Sequence, residues 1–168
     1  MQIRPPRPTD GMEIAAIHAE GLATGHASFR DDPMDWDAFA DSFAQALIAE
    51  DGGMVLGFAG VSATSARPVY AGVGEVSTYV SLRAQRRGVG RALLSALIAE
   101  SEGQGWWTLV AQIFPENRSS IALHQALGFQ ALGVRTRLGQ MSYGPLAGQW
   151  RDVVMLERRS TVAGIPAT

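Results

Sequence analysis

Two groups of residues in this chain have the types and spacing for chemistry. The first begins at Glu75, which interrupts the apolar and β-branched run Val73-Gly74-Glu75-Val76-Ser77-Thr78-Tyr79-Val80; downstream follows the basic turn Gln85-Arg86-Arg87-Gly88-Val89-Gly90-Arg91. A carboxylate inside such a run is costly to bury unless it is hydrogen-bonded or solvated in a cleft, so Glu75 is either a general base or a structural ion partner on an exposed sheet face. Gly88 and Gly90 let the backbone approach a ligand closely, and the helix that opens at once with Ala92-Leu93-Leu94 adds a partial positive charge of roughly half an electron. With arginines on both sides, this turn is either a polyphosphate site or a basic surface turn. It lacks the Gly-Lys-Ser/Thr ending of a Walker loop and the Gly-x-Gly-x-x-Gly of a dinucleotide fold.

The second group is Asn117-Arg118-Ser119-Ser120-Ile121-Ala122-Leu123-His124-Gln125-Ala126-Leu127-Gly128-Phe129. Asn117 or Ser119 can cap a helix here, and His124 lies one turn beyond Ser120 on the same face. An imidazole there can exchange a proton near neutral pH and protonate a departing thiolate, or it can simply pack. A strand rises about 3.3 Å per residue, so an acid several residues before the basic turn stands near the reacting end of a long nucleotide cofactor. That reach suits coenzyme A better than ATP.

The elements that must position these groups follow from periodicity. Gln2-Ile3-Arg4 reads as an edge strand, and Ile14, Ile17 and Leu22 mark an amphipathic helix after a Thr9 or Asp10 cap, with His18 within it. Asp35 opens a second helix through Leu47 with Trp36, Phe39 and Phe43 on one face. Gly52-Gly53 is a hairpin turn between a strand ending near Glu50 and the run 54–61. The strand 73–80 and its glycine turn lead to a helix ending near Gly103 or Gly105, then a strand 106–113, a short helix 119–127, and strands 129–134 and 150–157. Residues 1–158 form one α/β domain, and 159–168 read as a flexible C-terminal tail. Gly25-His26-Ala27-Ser28-Phe29-Arg30 has no clear period; it is either a substrate loop or a connection packed by Phe29.

With 168 residues, 46% of them apolar, and a formal net charge of -2, the chain fits a compact single domain rather than a disordered or nucleic-acid-coating one. There is no cysteine, hence no disulfide, thiolate nucleophile or cysteine metal site. His18, His26 and His124 are too scattered for a zinc pattern, so no metal is expected. No signal peptide and no membrane-length apolar run is evident, which makes the cytoplasm the expected location and leaves no membrane partner.

Taken together, Glu75, Gln85-x-x-Gly88-x-Gly90 and Asn117 to Phe129 resemble the GCN5-related N-acetyltransferase superfamily. Ala27-Ser28-Phe29, Glu75 to Val80, Leu123 to Phe129 and Gly148-Gln149-Trp150-Arg151-Asp152-Val153 resemble, more narrowly, phosphinothricin and methionine sulfoximine N-acetyltransferases. The resemblance runs from about Ile3 to Glu157. It implies a central mixed, mostly antiparallel sheet of about seven strands, splayed between the fourth and fifth and flanked by helices. Acetyl-CoA is then the cosubstrate, with main-chain bonds from Tyr79 and Val80. Its pyrophosphate would lie beyond Gln85 on Arg86, Arg87, Gly88, Val89, Gly90 and Arg91, and its pantetheine arm near Asn117 and Ser120. Glu75 corresponds to the base, and His124 to the position that in many members carries a tyrosine proton donor.

The implied reaction is acetyl transfer to the primary amine of a small amino acid-like substrate such as methionine sulfoximine, methionine sulfone or phosphinothricin, by direct attack on the thioester. Phe29, Tyr79 and Trp150 are the expected aromatic wall around that substrate, beside Glu75. A homodimer is expected as well, from the resemblance and from the aromatic surface of Trp106, Trp107 and the late strand residues. A protein or peptide N-terminal acetyltransferase and a non-catalytic acyl-CoA-binding regulatory module are the alternatives. One departure bears on substrate: the related Gly-x-Lys-x-Gly-x-Trp segment is here Gly144-Pro145-Leu146-Ala147-Gly148-Gln149-Trp150, so Leu146 replaces a cation. Arg67, Arg135 or Arg137 would have to supply the missing charge.

Overall fold

A computed structural model describes residues 1–165. The strands are β1 (Gln2–Arg4), β2 (Gln45–Asp51), β3 (Met54–Ala63), β4 (Val73–Val80), β5 (Thr108–Ile113), β6 (Gln130–Gln140) and β7 (Trp150–Arg159). The helices are α1 (Gly11–Ala23), α2 (Trp36–Ser42), α3 (Val89–Gly103) and α4 (Arg118–Ala126). All seven strands join one sheet in the order β1-β2-β3-β4-β5-β7-β6. Every pairing is antiparallel except β4 with β5. The seven-stranded, mostly antiparallel architecture of the sequence reading is therefore present.

The sheet is covered on both faces except at β6, which is exposed along most of its length. On one, Leu93, Leu94 and Leu97 of α3, with Leu123 of α4, pack against Leu56, Ala59, Val76, Leu109 and Leu156. On the other, Ile14 and Ile17 of α1 and Phe39 of α2 pack on Ile48 and Phe58. This explains why β3 reads as a nearly continuous apolar run rather than an alternating one.

The parallel pairing of β4 and β5 is short: it runs from Val73↔Thr108 to Glu75↔Val110 and stops. Beyond Glu75, β4 stays paired with β3 as far as Gly57↔Val80. Residues 76–80 therefore present an unpaired backbone edge toward β5, and β4 and β5 part there. Unmet main-chain N–H and C=O groups along such an edge are an acceptor and donor row for an extended ligand.

Three local expectations need correction. The second helix stops at Ser42 rather than Leu47, because Gln45, Ala46 and Leu47 pair with Val61, Gly60 and Ala59 of β3. The segment after β7 is not loose up to Gly164: Ser160 and Ala163 are buried, and the Arg159 guanidinium donates to the carbonyls of Ser160, Ala163 and Gly164. Residues 166–168 lie outside the described residues. Trp106 and Trp107 are spent inside the molecule, Trp106 against Gly74 and the main core and Trp107 across Gly72 and Gly164.

Candidate active site

Glu75 sits at the parting of β4 and β5, half-buried, in the wall of a cavity of about 590 Å³. Alternation along β4 turns Glu75, Ser77 and Tyr79 to one face, the side covered by α1 and α2. Gln112 of β5 donates from Nε2 to Glu75 Oε2 at 2.8 Å, and its own Oε1 accepts from Arg135 Nη1 at 3.2 Å. The amide thus orients the carboxylate and leaves Oε1 of Glu75 for a proton. Gln112 was not singled out from sequence, although a glutamine inside the apolar run 108–113 was the available signal.

Tyr79 stacks on Phe58 at 5.0 Å and meets the His18 ring edge-on at 4.9 Å. Burial pushes its phenol up to about 12, so it stays a neutral hydroxyl. Gly21 of α1 makes this placement possible, since a Cβ there would lie 2.8 Å from Tyr79 Cδ1. His18, 1% exposed, accepts the Met34 amide on Nδ1 at 3.0 Å, and burial lowers its pKa to about 4. It is a packed neutral histidine.

Tyr79, Val80 and Gln85 also line the wall; the basic turn 86–91 comes next in the chain and does not itself line the cavity. Gly88 is the α3 N-cap with φ +78°, a left-handed conformation that glycine adopts without strain. Arg86 also has positive φ, +60°. Gly90 has a packing task, lying between Leu123 and Val80. Arg87 pairs with Asp51 at 3.2 Å, while Arg86 and Arg91 are exposed. The Val89 side chain is buried in the core, so only its main chain is available to a ligand.

Asn117 caps α4, its Oδ1 accepting from the Ser120 amide at 3.3 Å, while its Nδ2 donates to the His26 carbonyl at 3.4 Å. The His124 ring holds the Ser120 carbonyl through Nδ1 at 2.8 Å. A carbonyl only accepts, so the proton is on Nδ1 and Nε2 carries a lone pair, buried and without a partner. Burial keeps this ring neutral by lowering its pKa. In that resting tautomer His124 offers a lone pair and no proton to the cavity. Thr78 Oγ1 is likewise buried and unpartnered in the cavity wall. Orphaned polar groups beside an open strand edge fit an elongated amide-bearing ligand, which is what a pantetheine arm is.

Phe29 lines the cavity, packed edge-on against Phe114 at 4.9 Å. Trp150 does not join it. Arg151 and Val153 face inward on β7, so the alternation sends Trp150 outward, where it is 59% exposed. Among the arginines considered for the missing charge, Arg67 lies over the Tyr70 ring, Arg135 holds Gln112, and the Arg137 amide bonds Asp152. Leu146 packs with Phe114, Met141 and Val153 and faces Gly25, where an added Cβ would lie 3.5 Å from its Cδ1. No group of three or more His, Asp or Glu able to hold a metal occurs among the described residues, and no helix is long and apolar enough to cross a membrane.

Comparison with known proteins decides the family, because residues 14–129 match the Acetyltransferase (GNAT) family. The chain belongs to the GNAT acetyltransferases. It is similar to a phosphinothricin N-acetyltransferase of Alcaligenes faecalis, 35% identical over 93% of this chain and 81% of that one. A methionine sulfoximine/methionine sulfone acetyltransferase of Pseudomonas paraeruginosa is 32% identical over 86% of each. Among solved structures, a phosphinothricin acetyltransferase of Sinorhizobium meliloti in complex with acetyl-CoA superposes with a TM-score of 0.86 at 30% identity, covering 99% of this chain and 92% of that one. As a GNAT acetyltransferase, this molecule has its acid at the strand parting and its α4 cap on one cavity, whose lining reaches Gln85 but not the glycine turn 86–91 that follows it.

Proposed function

We propose that this acetyltransferase moves the acetyl group of acetyl-CoA to the primary amine of a small amino acid-like acceptor of the methionine sulfone, methionine sulfoximine or phosphinothricin kind. The observation that carries this reading is the Glu75 carboxylate, oriented by Gln112, at the point where β4 and β5 separate in the cavity wall. The relatives named above support the acceptor class.

Acetyl-CoA supplies an activated thioester. The chain's residues do the rest. Glu75 removes a proton from the acceptor ammonium, directly or through one water, so that the freed amine can attack. Open-edge N–H groups of β4 near Val80 receive the negative charge that develops on the acetyl oxygen. The new C–N bond forms as the C–S bond breaks, and the thiolate, with a pKa near about 8.5, leaves readily without a strong acid. His124 serves as its proton donor only after first taking a proton on Nε2; burial then makes the imidazolium a willing donor. With no cysteine in the chain, direct transfer is the simplest course.

The segment 25–29 favours a small acceptor over a peptide. Tyr143 donates to the Ser28 carbonyl at 2.8 Å and Asn117 to that of His26, which fixes this loop in the cavity wall, where residues 26–29 bound the space left for an acceptor. Thiol release from acetyl-CoA, measured with L-methionine sulfone, L-methionine sulfoximine, phosphinothricin and a panel of short peptides, tests the assignment. Turnover should be confined to the amino acids. Turnover with peptides alone points to a peptide N-terminal acetyltransferase, and saturable acetyl-CoA binding without any transfer to a binding module.

A further inference from the structure

Arg151 is the buried cation that the reaction above does not use. It is 4% exposed, its guanidinium lies 4.0 Å above the Phe114 ring, and it reaches three segments at once. Nη1 donates to the Gly25 carbonyl at 2.8 Å, while Nη2 donates both to His26 Nδ1 at 3.0 Å and to Glu116 Oε2 at 3.1 Å. Burying an arginine is costly, and these bonds, with the Glu116 carboxylate, are what offset the cost.

The consequence falls on His26. An arginine can only donate, so His26 Nδ1 is an acceptor and the ring proton sits on Nε2. The His26 amide is held by Thr24 Oγ1 at 3.0 Å and its carbonyl by Asn117 at 3.4 Å. Amide, carbonyl and Nδ1 are thus all engaged. Among the described residues Nε2 has no partner, and it is not among the buried unpartnered atoms, so it stands open in a residue that lines the cavity. The neighbouring Gly25 faces Leu146, whose Cδ1 would lie 3.5 Å from a Cβ added at Gly25 and which occupies the position where the related segment carries a lysine. A fixed N–H donor therefore stands beside the place from which a cation is missing.

We propose that His26 is a specificity residue of the acceptor site, its Nε2–H binding an oxygen of the amino substrate, and that Arg151 is the positioning residue that sets its tautomer and direction. The inference rests on the small-acceptor reading above. The oxygen belongs either to the acceptor's carboxylate or to an oxygen on its side chain. Both are hydrogen-bond acceptors, and neither requires a charge on the ring.

The test uses the intact protein, His26→Leu, His26→Gln, Arg151→Met and Arg151→Lys, with three probes. L-methionine sulfone carries both oxygens, L-norleucine only the carboxylate, and 3-(methylsulfonyl)propylamine only the sulfone. His26→Leu should lower kcat/KM for methionine sulfone roughly 10- to 100-fold, the loss of one hydrogen bond to a strong acceptor, and leave the KM for acetyl-CoA unchanged. One single-oxygen probe should fall with it and the other should not, which names the oxygen. His26→Gln should recover part of the loss. Arg151→Met should reproduce the same selective fall, and Arg151→Lys should reproduce less of it. An equal fall with all three probes, a rise only in the KM for acetyl-CoA, or no change overturns the proposal.

If the unsubstituted protein acetylates none of the probes, the small-acceptor reading fails by itself, and nitrogen NMR of the imidazole still judges His26. Its Nε2–H tautomer should be present, should be lost in Arg151→Met, and the Nε2 signal should move on adding methionine sulfone in the presence of coenzyme A. A signal that moves with none of the probes rejects the role.

Discussion

At the residue scale, the three histidines show how little a residue type fixes without its partners. His18 accepts an amide and is sealed among aromatics, His124 gives up its Nδ1 proton to a carbonyl, and His26 is turned by an arginine. None of these partners is readable from spacing except Ser120, one turn before His124. The buried state of His18 has a measurable cost in acid. Its pKa falls from an ordinary 6.5 to about 4 on folding, so the unfolded chain takes up a proton that the folded chain refuses. Its contribution to stability is complete above pH 6.5 and is lost between there and pH 4, about 3 kcal/mol in all. Denaturant unfolding at stepped pH should show that decline, and His18→Asn, which keeps an acceptor for the Met34 amide, should flatten most of it. An unaltered pH slope in that variant would contradict the assignment. Asp10 acts in a different window, because its bonds from Arg4 hold its pKa below 3.8 and its contribution is lost only in stronger acid.

At the element scale, the site depends on α1 lying close enough to β4 to press Tyr79 against Phe58. Gly21 is the point of closest approach. Gly21→Ala should therefore destabilise the fold by about 1–3 kcal/mol, through a methyl group that has no room beside the ring. It should also weaken acceptor binding as Tyr79 shifts, read as a lower Tm with a higher acceptor KM; an unchanged Tm would contradict the packing. Much at this scale was legible. The run 73–80, the glycine turn and the cap at Asn117 are local patterns, and each formed where its residues indicated. The failures were long-range. Trp36, Phe39 and Phe43 keep a helical spacing that Gln45–Leu47 do not honour, because pairing with β3 overrides it. The motif alone places Trp150 in the acceptor site, whereas the inward turn of Arg151 decides the face and leaves Trp150 exposed. Arg151 joins β7 to residues near the end of α1, a contact that no local pattern announces.

At the scale of the whole molecule, β6 is the sheet's unprotected edge. It is eleven residues long and exposed along most of its length, with Leu132 61% and Val134 56% exposed. A long edge with apolar side chains invites a second copy of the chain, and of the surfaces expected to pair it is this late strand, not the tryptophans, that carries the expectation of a homodimer. Sedimentation at micromolar concentration should give twice the chain mass, and Val134→Asp should shift it toward the monomer. A monomer across the concentration range would contradict the dimer. Catalysis draws on the whole sheet, and the role proposed for Glu75 as its base is the one on which the reaction turns. The direct measurement is acetyl transfer by Glu75→Gln alongside calorimetric titration with acetyl-CoA. The account predicts near-unchanged acetyl-CoA affinity with turnover reduced about 100-fold or more, the size of a general-base contribution. Turnover equal to that of the unsubstituted protein, with binding intact, would contradict it.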